Sequence, residues 1–227
     1  MPFFLYFQNH SKLIFPLLKY LLLNNYTNIG FQSYYCAEEE KDLMGKLYFD
    51  TLRLGQVLNE PALAEPIFRD ADIIGFDMKC LSWQAIADPL EGQPNGIDSR
   101  TICSLTRYAG ISDHISFVGF FEIPSTPMTD QLLAQMIWYL IEGVQLRFEE
   151  YPVNTKDFLK YSVTLSDQIM VFYKSDKSNR WWMELTNNSH LNNKIISTTL
   201  LACTEKDYLD AMQDKIPERW YNAIKRT

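Results

Sequence analysis

The sequence is poor in the residues from which covalent and metal chemistry is usually built. Its four cysteines, Cys36, Cys80, Cys103 and Cys203, form no C-x-x-C pair and no regular framework. This argues against a secreted disulfide scaffold and fits free thiols in a reducing, cytoplasmic setting. Histidine occurs only three times, as His10, His114 and His190. Neither G-x-S-x-G nor G-x-x-x-x-G-K-[ST] is present, so acyl transfer and P-loop chemistry have no support. Positive charge is scarce as well: 21 Lys plus Arg stand against 28 Asp plus Glu, a net charge of -7. Such a chain repels phosphate backbones, and no nucleic-acid partner is expected.

Long apolar runs are also missing. The amino-terminal stretch MPFFLYFQNHSKLIFPLLKYLLLNNY is broken by Asn9-His10-Ser11-Lys12, Pro16 and Lys19. Its runs fall short of the roughly 18 to 20 residues that span a bilayer. Its lysines lie inside the apolar region rather than before it, so a buried structural segment fits better than a targeting or membrane segment. No membrane association is expected.

What remains is an ordinary globular composition, 47% apolar and 22% charged over 227 residues. This is enough for one large domain, or one domain with an appendage. The aromatic share of 14% implies a bulky core or a substantial interface.

Hydrophobic patterning predicts a strand over Asn28–Tyr35, then a helix carrying Leu43, Leu47, Leu54 and Val57 that ends by Asn59. Ala71–Met78 and Ile115–Ile123 are continuous apolar runs, the mark of strands covered on both faces. Between them a helix is expected over Ser99–Tyr108 with Gly110 as its C-cap. A long helix, QLLAQMIWYLIEGVQLRF, should follow, capped by Thr129 or Asp130. This alternation predicts an α/β fold of three layers, α-β-α, around a mostly parallel sheet. After Pro152 the pattern changes to a small antiparallel meander, KYSVTL, QIMVFYK and RWWMEL, with a polar helix pair at the end. The expected division is therefore 1–152 and 153–227.

Three segments carry a resemblance. Gly75-Phe76-Asp77-Met78-Lys79 looks like an S-x-D-x-D strand end, and Pro94-Asn95-Gly96-Ile97 is similar to a P-G-G-[LF] turn. Phe121-Glu122-Ile123-Pro124, with Asp130 after it, resembles E-[VI]-N-P-x-x-D. In this order and strand context they resemble the arginase, agmatinase and formimidoylglutamase family, over roughly residues 11 to 148. The resemblance implies an arginase-like fold and hydrolysis of a C–N bond in a guanidino or formimino compound. It also implies two Mn²⁺ ions that lower the pKa of a bridging water. Asp77 would then be a residual metal ligand, and Glu122 the carboxylate that holds the cationic substrate head.

The family's G-G-x-H and D-x-H-x-D segments are not found in the sequence. By the resemblance, the chain begins after the place of D-x-H-x-D, and the first strands are expected to be absent or supplied by another chain. Lys79 stands at the second aspartate of S-x-D-x-D. On a continuous strand it would share a face with Asp77, placing an ammonium where a carboxylate should bind metal. Asp77 has a plainer reading as a loop cap or a partner of Lys79. Glu122 is open between ligand recognition and structural pairing, and Pro94-Asn95-Gly96 reads as a turn in which Asn and Gly tolerate left-handed backbone. Trp181-Trp182 beside Lys174, Lys177 and Arg180 reads as a hairpin with one Trp in the core and one over a basic stem. Two functions stay open: a part of an amidine hydrolase, not competent as this chain alone, or a non-catalytic interaction protein on the same scaffold. Either implies a homo-oligomer or a complementary amino-terminal chain, with an exposed sheet edge around Asn28–Tyr35 that Leu13–Leu23 could cover.

Overall fold

The computed structural model describes residues 3–6, 25–151, 153–165, 168–186 and 198–226; the Leu13–Leu23 segment lies outside them. The chain divides into two compact units, Met1–Glu149 and Glu150–Thr227.

The first unit is built on a parallel five-stranded sheet of order β3-β2-β1-β4-β5. Its strands are β1 (Phe3–Tyr6), β2 (Asn25–Phe31), β3 (Asp50–Arg53), β4 (Ile73–Asp77) and β5 (Phe117–Phe121). β2 is an interior strand, paired to β1 on one side and β3 on the other. Among the described residues the sheet's edges are β3 and β5 instead. The expected strand is also shorter at its end, because residues 33–35 form a turn.

The single helix expected from Leu43 to Asn59 is two helices with a strand between them: α1 (Glu38–Lys46), β3, and α2 (Leu54–Asn59). Tyr48 takes a left-handed conformation, φ 52°, and the amide of Phe49 returns to the Met44 carbonyl at 3.0 Å, closing the helix end. A tyrosine does not advertise such a turn, so the periodicity of Leu43, Leu47, Leu54 and Val57 was satisfied across a break.

Ile29, Ile74, Phe76, Val118 and Phe120 project to one face and pack with α2, α3 (Glu65–Arg69), α4 (Trp83–Ile86), α5 (Ser99–Ile111) and α6 (Pro127–Gln145) in a single core. Phe76 stacks on Phe120 at 5.5 Å. Tyr26 points to the opposite face, where its ring meets Phe49 edge-on at 5.9 Å. The α-β-α class read from the alternating pattern describes this unit.

Gly110 is not a C-cap; α5 continues through it to Ile111. A Cβ on Gly110 would lie 2.2 Å from the Leu140 carbonyl oxygen, and one on Gly143 2.5 Å from the Arg107 carbonyl oxygen. The two glycines let α5 and α6 touch backbone to backbone. The α6 cap is Thr126 rather than Thr129 or Asp130: its hydroxyl accepts from the Thr129 amide at 3.1 Å and donates to the Ile86 carbonyl at 2.7 Å. Pro127 fills the first helical position, where no amide donor is needed.

The second unit is an antiparallel sheet of order β6-β7-β8-β9: β6 (Phe158–Thr164), β7 (Ile169–Ser175), β8 (Trp181–Thr186) and β9 (Thr198–Cys203). The first three are the expected meander, and β9 was not foreseen. Helices α7 (Glu205–Ala211) and α8 (Glu218–Arg226) follow. Both tryptophans are buried, Trp181 in the core under Tyr208 at 4.9 Å and Trp182 against Phe158 at 5.0 Å. The basic stem of the hairpin reading is present, but Lys174 lies over the core tryptophan itself, 5.1 Å from the Trp181 ring. Neither offers an open stacking face. Glu150 is buried and accepts from Ser175 and Ser178, the latter at 2.7 Å, with Arg180 4.0 Å away. Among the described residues, no helix is long and apolar enough to cross a membrane.

The glycine contact makes a direct prediction. Gly110→Ala gains helix propensity of about 1 kcal/mol but drives a methyl into a backbone carbonyl. The expected net effect is a loss of about 2 kcal/mol, read as a lower urea midpoint for the first unit.

Candidate functional site

The strand order decides where chemistry can gather. The chain lays down β1, β2 and β3 outward, then returns past β1 to place β4 and β5 on its other side. In open α/β sheets, ligands bind outside the carboxyl ends of the strands at such a reversal. β4 ends there on Asp77, which is in register with Phe121, the last residue of β5. The residues leaving the two strands therefore meet.

Asp77 is buried, and its carboxylate accepts the Lys79 backbone amide at 2.9 Å. This caps a one-turn 3-10 helix, Met78–Cys80. Because the strand stops at Asp77, the expected strand geometry for Lys79 does not hold. Its side chain runs to Glu122, with Nζ 3.0 Å from Oε2, and lies 4.0 Å from Glu91. The Glu122 hydrogen bond and charge, with smaller help from Glu91 and Asp77, raise the lysine pKa above its ordinary value. The Asp77 pairing seen in the sequence is thus a backbone cap, and the ammonium belongs to the carboxylate after β5. Glu122 itself sits at φ 51°, a conformation uncommon for a residue with a side chain and one that clusters at functional positions.

The loop after β4 frames this group. The segment 93–97 runs parallel to 81–83, with the Ser82 amide on the Ile97 carbonyl at 2.9 Å and the Gln93 amide on the Leu81 carbonyl at 2.8 Å. A Cβ on Gly96 would stand 2.4 Å from the Ser82 nitrogen. Gly96 is therefore needed for close backbone approach and not, as expected, for left-handed backbone. The turn after β2 closes on the same loop: Gln32 donates to the Asn95 carbonyl at 3.0 Å, Tyr35 to Gln93 at 2.8 Å, and Tyr34 to Gln32. Gln32, Tyr34, Tyr35 and Gln93 were missed because the strand pattern seemed to run through Tyr35. The run Gln32-Ser33-Tyr34-Tyr35 after a β-rich segment was the available signal.

The remaining candidates lie elsewhere. His114 bonds Asp72 at 3.1 Å, before β4 begins. It is therefore a full strand, about 16 Å, from the Asp77 end. His10 and His190 lie outside the described residues. Cys80 follows Lys79 but is fully enclosed; burial first, and the Asp77 charge second, push its thiol well above the ordinary range. It is held as an inert thiol rather than a nucleophile.

The Mn²⁺ implied by the resemblance was tested against these donors. Such an ion wants several oxygen or nitrogen ligands together. Here Asp77 is engaged by an amide, an ammonium stands two residues on in sequence, and Glu122 faces that ammonium. Among the described residues, no group of three or more His, Cys, Asp or Glu is placed to hold a metal ion. The described donors do not fit the ion.

The sequence matches no family model and no curated protein. Solved structures do match. Formimidoylglutamase from Bacillus subtilis subsp. subtilis str. 168 superposes with a TM-score of 0.56 at 14% identity, covering 65% of this chain and 54% of that one. Oxidized formiminoglutamase from Trypanosoma cruzi at pH 4.6 gives 0.54 at 14% identity, covering 63% and 55%. The same enzyme oxidized with Mn²⁺ at pH 8.5 gives 0.55 at 12% identity, covering 64% and 55%. The fold is arginase/formimidoylglutamase-like, and the chain spans about half the length of the structures it matches.

Thiol labelling of the native protein at mildly alkaline pH checks the site's burial. Cys80, Cys103 and Cys203 are expected to resist until the chain is unfolded, while the part-exposed Cys36 reacts first. Rapid native labelling of Cys80 would contradict the enclosed thiol.

Proposed function

We propose that the chain is part of an arginase/formimidoylglutamase-type protein, related to metal-dependent hydrolases of C–N bonds in guanidino or formimino compounds, and that it does not hydrolyse them by itself. The observation that carries this reading is the Lys79–Glu122 ion pair at 3.0 Å. Glu122 is the carboxylate that the resemblance assigns to a cationic substrate head, and an ammonium of the chain itself now holds that place. Lys79 acts as a built-in substitute for the ligand, and Asp77 retains a backbone-capping role in place of metal ligation. Hydrolysis then requires histidine-containing ligand segments that these 227 residues do not contain.

The isolated chain, supplied with Mn²⁺, is expected to show no turnover of arginine, agmatine or formimidoylglutamate and no stoichiometric manganese by elemental analysis. Robust turnover would refute the reading. Replacing the ammonium is the sharper test. Lys79→Met should let Glu122 take up agmatine about ten-fold more tightly than the unaltered chain, the worth of one charge-assisted hydrogen bond. Calorimetry or chemical-shift titration reads the change, and unchanged binding would mean that Lys79 is not holding the cation's place.

The same ion pair also favours a second reading, a non-catalytic interaction protein on this scaffold. The two separate on mixing with a chain that carries the histidine segments: activity appears under the first reading and not under the second.

A further inference from the structure

The outer face of α6 is apolar where a helix at a protein surface is normally charged. Its inner face, with Leu132, Met136 and Gly143, is buried. On the opposite side Ile137, Trp138, Ile141 and Val144 are exposed, Trp138 by 70%, and Ala134 and Gln145 complete the stripe. They recur at i, i+3, i+4 and i+7 over about 18 Å of helix. From Ala134 to Gln145 the only charged residue is Glu142. It lies to one side, bonded to Arg107 at 3.0 Å.

We propose that this stripe is a self-association surface, and that α6 packs antiparallel on α6 of a second copy about a two-fold axis near Ile141. This goes beyond the functional reading above and does not rest on it. Charge selects the occupant. In a two-fold contact each residue meets the same surface on its partner, so for a chain with a net charge of -7 a patch free of acids is the surface on which two copies meet without like-charge repulsion. A basic partner would call for acids within the stripe, and none lies on it. Size fits as well. With Phe148 just beyond the helix, the exposed side chains offer on the order of 500 Å² per copy at usual side-chain areas. That is about 1,000 Å² in total, the lower bound for a specific interface. Antiparallel pairing about Ile141 also sets large against small, bringing Trp138 over Val144 of the second copy and Ile137 beside its Gln145.

Sedimentation of the full chain from micromolar concentration upward should show a monomer–dimer equilibrium. Trp138→Ala and Ile141→Lys should each weaken the dimer roughly 30-fold or more, as expected for a central aromatic or aliphatic anchor, with helical circular dichroism unchanged. Leu90→Lys, at an isolated apolar residue 95% exposed, should leave the dimer intact. A monomer throughout, or a dimer indifferent to both stripe substitutions, would overturn the proposal, the latter by placing association on another surface. If the substitutions unfold the chain, Ile141→Cys in a Cys36→Ser background decides. Oxidation should cross-link two copies through position 141, and absence of that cross-link counts against the two-fold pairing.

Discussion

The register of β4 against β5 is the constraint on which the site depends. With Asp77 opposite Phe121, the chain leaves both strands at the same level, and Lys79 and Glu122 come within 3.0 Å. A shift of one residue would move every β5 side chain to the other face and carry Glu122 with it. That register is held by the core itself, since Ile74 and Phe76 share their face with Val118 and Phe120. The electrostatics at the sheet's carboxyl end is therefore a consequence of apolar packing several residues away.

Glycines let backbone approach backbone closely at several points in this unit. Gly96 lets the 93–97 turn lie against the exit of β4, and Gly110 with Gly143 lets α5 lie against α6. The first approach builds the rim of the site, to which Gln32 and Tyr35 are then tied. The second draws α6 inward by its glycine-bearing face and turns Trp138 and Ile141 outward. One helix thus serves the core on one side and presents an uncharged apolar surface on the other.

Much of the architecture was legible in the chain. Ile73–Asp77 and Phe117–Phe121 lie inside unbroken apolar runs of the kind a strand enclosed on both faces needs; β4 is enclosed as expected, whereas β5 is an edge strand that leaves Phe117 and Phe121 exposed. The meander of Phe158–Thr164, Ile169–Ser175 and Trp181–Thr186 showed itself through β-forming residues between turn signals. The failures share a cause. β3 was hidden because Asp50–Arg53 is only four residues long and the flanking leucines keep helical spacing across it. The left-handed residue that breaks that helix is Tyr48, not a glycine. Gly110 was misread because a glycine near a helix end looks like a cap, whereas its reason lies on another helix, at the Leu140 carbonyl and Gly143.

The sequence alone determined the class of fold, the existence of β4 and β5, and the residue types near their carboxyl ends: Asp77, Lys79 and Glu122. Strand identity and site chemistry are local properties of spacing and side-chain type, so they can be read in one dimension. Only the tertiary structure decided which of these residues meet. Ending β4 in a 3-10 turn swung Lys79 away from the face of Asp77 and onto Glu122, a contact 43 residues apart that sequence spacing does not encode. Ion pairing follows three-dimensional distance, and that distance was set by the parallel pairing of β4 with β5.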